Sequence, residues 1–339
     1  MENLGLMGFT GAGANRLFAA LTGLDAPSEY ETAVGVAAVP DERLDRLAAM
    51  SASKKVVPAG FELVHLALPT GMKPGEGLGA KFLGSLRNTD AILIVLRAFD
   101  DGGMAPDPEG DLAALEMELV IADLGSVEQR LTRQRRAAKS GDKAIIAEVA
   151  ILERAEAILA DGTPLGRAGL GDDELEVLAP VFLLTTKPVL VVANTGEDPE
   201  PAGALPDGAL AVPIDIEAEI AACAPEDRAE MRETYGLGES ALTRVAQAAY
   251  HLLGRRTFLT TGDDESRAWT FRAGAKAPEC AGVIHSDLQR GFIRAEVIDW
   301  EELLALGSWA KAREAKKLRL EGKEYEVRDG DVLEIRFNV

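Results

Sequence analysis

Residues 4–21 read LGLMGFTGAGANRLFAAL. A short apolar run, Leu4–Phe9, enters a glycine-rich turn at Gly11-Ala12-Gly13, and a helix-like stretch, Asn15–Leu21, leaves it. Strand, glycine turn and helix in that order converge backbone N–H groups on the positive end of a helix, an arrangement suited to an anion. The phosphate-loop pattern G-x-x-x-x-G-K-[ST] falls on Gly8-Phe9-Thr10-Gly11-Ala12-Gly13-Ala14-Asn15, and both framing glycines, Gly8 and Gly13, match. The lysine position holds Ala14 and the hydroxyl position holds Asn15. In a working loop the lysine neutralises phosphate oxygens and the hydroxyl ligates Mg²⁺. Here the cradle stands without its charged partners, which a purely structural strand–helix turn would also do.

Outward from the loop, apolar runs recur at 61–68, 91–97, 189–193 and 209–214, with helical stretches between them. Near-continuous apolar strands spaced by helices predict a parallel sheet covered on both faces, hence an α/β fold. A long helical insertion interrupts the series. Leu112, Leu115, Leu119 and Ala122 share one helical stripe, as do Ile145, Val149, Leu152 and Leu159, and Ser140-Gly141-Asp142 breaks the pattern between them. That spacing predicts two antiparallel helices, an arm for packing or docking. After residue 256 the texture turns to short strands: Arg267–Phe271, Phe292–Ile298, Glu324–Val327 and Val332–Phe337, the last two flanking Asp329-Gly330. Helices are expected at about 276–284 and 300–315, across one face of a small mixed sheet.

Charge follows the same division. The chain of 339 residues carries 56 acids and 36 bases, a net charge of -20. From Arg256 onward 14 bases meet 16 acids, so residues 1–255 hold -18. A surface this acidic repels a phosphate backbone over most of its area, which excludes general DNA binding. With 47% hydrophobic and 27% charged residues, wholesale disorder is excluded as well. The apolar runs fall far short of a membrane span, no base precedes Arg16 to suggest a secretory leader, and a cytoplasmic location is expected. Cys223 and Cys280 are read as small buried side chains. His65, His251 and His285 have no second ligand at metal-binding spacing. The run Lys311–Arg319 (KAREAKKLR) is either a solvated helix face or a basic contact patch.

Residues 267–339, with RAWT, AGVIHSD, RGFIRAEVI, LEGKEY and DGD, closely resemble the C-terminal region of YchF, the Obg-like ATPase family of P-loop NTPases. Shorter similarities lie at 34–47 (VGVAAVPDERLDRL), 75–79 (GEGLG), 184–197 (LTTKPVLVVANTGE) and 217–220 (EAEI). The resemblance implies a Rossmann-like P-loop G domain in residues 1–110 and 180–255. It further implies an inserted antiparallel helical arm at 111–179 and a TGS-like β-grasp domain at 256–339. ATP or GTP is the implied ligand, with the ribosome or other translation machinery as partner.

The resemblance also locates departures. The family loop GLPNVGKS is GFTGAGAN here, and the family's DIAG segment corresponds to His65-Leu66-Ala67-Leu68. The Mg²⁺-holding carboxylate thus becomes a histidine, and the γ-phosphate-sensing glycine becomes Leu68. The switch threonine falls near Glu29. Asn194-Thr195-Gly196-Glu197 keeps both ends of the family's Asn-x-x-Glu base-recognition segment, while Pro213-Ile214 replaces an expected Ser-Ala. The candidate nucleotide-binding residues are Gly8, Gly11, Ala12, Gly13, Ala14, Asn15, Arg16, Asn194 and Glu197; no catalytic or metal-ligating residue is assigned, and the departures weaken the case for Mg²⁺. The expected function is a translation- or stress-associated interaction protein with weakened or lost nucleotide turnover. The alternatives are an active ATP or GTP hydrolase with non-standard loop residues such as Arg16, and a scaffold that docks partners through its arm and C-terminal domain.

Overall fold

A computed structural model describes residues 3–67, 77–103, 105–198 and 200–338. The first elements in chain order are β1 (Asn3–Gly8), α1 (Ala14–Thr22), β2 (Ala33–Val39), α2 (Glu42–Ser51), β3 (Val56–Val57), β4 (Ala59–His65), α3 (Ala80–Arg87) and β5 (Ala91–Arg97). There follow α4 (Pro108–Ala137), α5 (Lys143–Ala160), α6 (Asp172–Leu178), β6 (Val189–Asn194), β7 (Leu210–Val212), α7 (Ile214–Ala222), α8 (Arg228–Thr234) and α9 (Ala241–Leu252). The last are β8 (Arg255–Thr260), β9 (Ser266–Arg272), α10 (Ala277–Ile284), α11 (Ser286–Arg290), β10 (Phe292–Asp299), α12 (Trp300–Leu306), α13 (Trp309–Glu314), β11 (Arg319–Glu321) and β12 (Asp331–Phe337). Two compact units result, one of Met1–Val36 and Glu62–Val245, the other of Ala37–Phe61 and Ala246–Val339.

The first unit is built on a sheet of order β2-β4-β1-β5-β6-β7, in which β1 pairs with β4 and β5, β5 with β6 and β6 with β7, all parallel. Its centre is β5, buried from Ala91 to Leu96, as a strand covered on both faces must be. The arm is present as expected. Asp107 and Pro108 start α4, Asp107 accepting the Gly110 N–H, and a turn at 138–140 with Gly141 (φ 82°) reverses the chain into α5. The lower half of α4 packs Leu112, Leu115 and Leu119 on Ile92, Ile94 and Leu96, whereas Val127 and Leu131 pack on Leu152, Ala155 and Leu159 of the hairpin itself. At the changeover sits Asp123, fully buried. Its carboxylate accepts the N–H groups of Leu184 and Thr185 (2.9 and 2.7 Å) and the Thr185 hydroxyl (2.7 Å). Burial pushes this carboxyl above its ordinary range.

The second unit holds a sheet of order β11-β10-β12-β8-β9-β3, mixed as expected: β10 runs antiparallel to β11 and β12, β8 antiparallel to β9, and β12 parallel to β8. Phe258, Phe271, Phe292 and Val297 pack with Ala277, Cys280 and Ala281 of α10. The change of texture at Arg256 coincides with β8. Residues 37–61 also belong to this unit, through β3 pairing with β9.

Two expectations need correction here. The strand at Glu324–Val327 is reduced to one bridge, Glu326 with Lys276. Tyr325 N–H closes a turn onto the Gly322 carbonyl, and the Asp331 carboxylate takes the Arg328 N–H and the Tyr325 hydroxyl, so the segment curls instead of extending. The helix at 300–315 is two. Gly307, at φ 79°, ends α12, and the Ser308 hydroxyl caps α13 by accepting the Lys311 N–H at 3.2 Å.

Candidate functional site

At the end of β1 the chain must pass very close to β5. A Cβ on Gly8 would lie 2.5 Å from the Val95 carbonyl oxygen, so only glycine is tolerated there. The turn then closes with the Ala12 N–H donating to the Phe9 carbonyl (3.0 Å). Gly11 and Gly13 take φ of 82° and 93°, values that L side chains avoid. Gly13 heads α1 without a side-chain cap, and Leu17 and Phe18 bury the inner face of that helix.

Asn194 braces this turn from below. It ends β6, is 1% exposed, and donates its Nδ2 to the Ala12 carbonyl at 2.9 Å. Its Oδ1 accepts the N–H groups of Gly196 (2.9 Å) and Ile214 (3.3 Å). One carboxamide thus joins the glycine turn, the loop after β6 and the start of α7, and keeps one amide hydrogen in reserve. Beside it the buried Thr195 hydroxyl oxygen has no hydrogen-bond partner among the described residues. Glu197 stands exposed on the same loop. Asn194 and Thr195 are both 1% exposed, so their polar atoms serve the loop's interior.

The phosphate side is different. The Gly11 N–H donates to Glu29 Oε1 at 2.7 Å, so a carboxylate of this chain already holds an N–H that a phosphate oxygen would take. Ala14 supplies no charge. Asn15 is engaged within the chain, its Nδ2 donating to the Pro27 carbonyl (3.3 Å) and its Oδ1 accepting the Arg16 N–H (2.9 Å). The Arg16 guanidinium is held in an ion pair by Asp215 on α7.

At the position of the family's metal carboxylate stands His65. His65 is 3% exposed, its Nδ1 lies 2.9 Å from the Glu31 carbonyl, and the Phe18 ring meets it edge-on at 6.2 Å. Burial holds its imidazole below the ordinary value of 6.5, and the neutral ring donates from Nδ1 to that carbonyl. Leu68, and Gly75 and Glu76 of the GEGLG stretch, lie outside the described residues. Among the described residues no group of three or more His, Cys, Asp or Glu side chains could hold a metal ion.

Gly8, Gly11, Ala12, Gly13, Ala14, Asn15 and Arg16 therefore gather with Asn194 at one end of the first sheet. What the sequence did not signal is Asp215, 199 positions from the arginine it holds. The basic run at Lys311–Arg319 is largely spent inside its own unit: Arg313 pairs with Glu296 (2.8 Å), Lys317 with Glu302 (2.8 Å) and Arg319 with Asp331 (2.9 Å). His285 caps α11 by accepting the Asp287 N–H on Nδ1. Among the described residues no helix is long and apolar enough to cross a membrane.

A family model, YchF-GTPase_C, described as a protein of unknown function (DUF933), matches residues 256–338. The ribosome-binding ATPase YchF of Bacillus subtilis (strain 168) is 41% identical, with 99% of each chain covered. The ribosome-binding ATPase YchF of Escherichia coli O157:H7 is 37% identical over the same shares. Among solved structures, that of the Schizosaccharomyces pombe YchF GTPase superposes with a TM-score of 0.85 at 29% identity, covering 99% of this chain and 97% of that one.

Proposed function

The chain belongs to the YchF family, and on that premise we propose that it associates with ribosomes while holding nucleotide weakly, its phosphate cradle taken by its own Glu29. The ribosome part is supported by the name its relatives carry. The nucleotide part is supported above all by one contact, the Gly11 N–H donated to the Glu29 carboxylate at 2.7 Å. Phosphoryl transfer depends on positioned charge more than on covalent chemistry. At the positions of the lysine, the hydroxyl and the metal carboxylate this chain has Ala14, Asn15 and a neutral His65. In this reading residues 1–110 and 180–255 are the nucleotide-fold domain, 111–179 the arm and 256–339 the TGS-like domain.

A second reading, an active ATPase, is favoured by the relatives' name and by the Asn-x-x-Glu segment retained at Asn194–Glu197. Its difficulty is the source of positive charge. Arg16 is the sole base in residues 4–21, and its guanidinium is bound to Asp215. Titration of ATP and GTP with and without Mg²⁺ separates the two readings. Weak, Mg²⁺-insensitive binding without turnover is expected. Micromolar, Mg²⁺-dependent binding with turnover would install the ATPase, and loss of that turnover in Arg16→Ala would identify the substitute cation. No binding at millimolar nucleotide would leave a scaffold that docks partners without nucleotide.

A further inference from the structure

The sharpest charge reversal in this acidic chain lies at the tip of the arm. Residues 130–143 carry six bases (Arg130, Arg133, Arg135, Arg136, Lys139 and Lys143) against one acid, Asp142. That gives +5, and a whole-chain charge of -20 leaves -25 on the other 325 residues.

Part of this charge serves the arm itself. Arg130 donates to Glu148 at 2.8 Å, Gln134 donates to the same carboxylate at 2.6 Å, and Arg135 donates to Glu153 at 3.0 Å, stitching α4 to α5. The lone acid is also spoken for: Asp142 caps α5 by accepting the Ala144 N–H at 2.8 Å. Four bases remain. Arg133, Arg136, Lys139 and Lys143 are exposed, and among the described residues they make no ion pair. At about 100° per residue, Arg133 and Arg136 fall on the side of α4 opposite Val127 and Leu131, which pack toward α5. From Leu119, the last α4 residue in the core beneath the arm, to Arg136 the helix runs roughly 25 Å.

A solvated helix face ordinarily mixes charge signs, because like charges at spacings of three and four repel. This tip does the reverse, and the repulsion is relieved when a polyanion lies against it. We propose that the arm tip is a contact surface for the phosphate backbone of RNA, with Arg133, Arg136, Lys139 and Lys143 as the contacting side chains. Arginine favours this partner because its planar fork meets phosphate oxygens in pairs. The surrounding -25 repels RNA elsewhere, so the tip approaches end-on. The proposal rests on ribosome association and names the surface that provides it.

The experiment uses the full chain, the fourfold variant R133Q/R136Q/K139Q/K143Q and R133K/R136K, in co-sedimentation with 70S ribosomes and with protein-free ribosomal RNA across a salt series. The substituted residues face away from the α4–α5 seam, and a melting curve checks the fold. Loss of four phosphate contacts should lower the salt-dependence exponent by about 3 and weaken binding at least tenfold near about 50 mM salt. R133K/R136K keeps the charge and the salt slope but gives up the guanidinium fork, so it should bind between the parent and the fourfold variant. If the parent chain binds ribosomes and the fourfold variant binds equally well with the same salt slope, the tip assignment is overturned. Tip-dependent binding to ribosomes without binding to free RNA overturns it in favour of an acidic protein face. RNA binding through the tip without ribosome binding upholds the tip and removes the ribosome reading. Binding to neither removes both.

Discussion

Replacing Glu29 by alanine should raise nucleotide affinity, the opposite of what removing a polar residue from a binding site ordinarily does. In the parent chain a phosphate group must first displace the Glu29 carboxylate from the Gly11 N–H, where it sits at 2.7 Å. A hydrogen bond to a charged acceptor contributes about 1–2 kcal/mol when partly exposed to solvent. Once displaced, the carboxylate stays tethered within reach of the phosphate, and two unit charges about 4 Å apart repel by about 1 kcal/mol in water and more in a partly shielded site. Taking about 2 kcal/mol for the two together predicts a gain of roughly 30-fold in affinity for Glu29→Ala. Glu29→Gln keeps an oxygen acceptor and removes the charge, so it should fall between the two. Calorimetric titration of ATP without Mg²⁺ measures all three proteins directly. Affinities within twofold of one another would show that the carboxylate does not compete with phosphate, and the account of a self-occupied cradle would go with it.

Other outcomes follow from neighbouring contacts. Asn194→Ala strands the Ala12 carbonyl and the Gly196 and Ile214 N–H groups, a loss of about 2–4 kcal/mol. That should lower the melting temperature by roughly 5–10 °C, and an unchanged melting curve would mean the brace is dispensable. His65 titrates below 6.5 in the folded chain, chiefly because it is buried, so just below that pH the unfolded chain binds more protons and stability falls as pH is lowered. Melting at pH 7.5 and 5.5 should show a smaller drop for His65→Gln than for the parent, and equal drops would exclude His65 as the source. Cys280, its thiol pushed up to about 12 by burial, should resist a disulfide reagent at pH 8, while Cys223, read from the sequence as buried but half-exposed at the end of α7, reacts. Two equivalents of rapid labelling would contradict that burial.

How much of this could be read from the residues depended on how far each interaction reaches along the chain. Strands β1 and β5 were legible because a strand buried on both faces needs an unbroken apolar run, and the arm because its stripes repeat over many turns. β2 was not read as a strand: the small side chains of Ala33–Val39 alternate between exposed and buried without an obvious polar contrast. The break at Gly307-Ser308 was present in the sequence as a cap pair, but an apolar periodicity running across it hid the stop. Glu29 was legible only as lying near the phosphate position; that it takes the Gly11 N–H required the fold. The Arg16–Asp215 pair had no sequence signature at all, since parallel strands bring α1 and α7 together with no local pattern linking them.

The loop also shows that one motif carries two separable kinds of information. Gly8 is glycine because the β5 backbone leaves no room, and Gly13 because a Cβ would lie 2.5 Å from the Asn194 amide nitrogen. Asn194 is held by three backbone groups of the chain itself. These positions satisfy a packing problem posed by the chain itself, so their agreement with the phosphate-loop pattern testifies to the fold and is silent about nucleotide. The lysine, the hydroxyl and the metal carboxylate pose no such problem; what they contribute is charge and coordination toward a ligand. Ala14, Asn15 and His65 stand at those positions, and Glu29 supplies the anion that the Gly11 N–H would otherwise lack. On the proposed reading of weak nucleotide holding, a site altered where it faces phosphate, with its supports intact, is what a scaffold kept for another use would look like. The basic tip of the arm then becomes the place to look for that use.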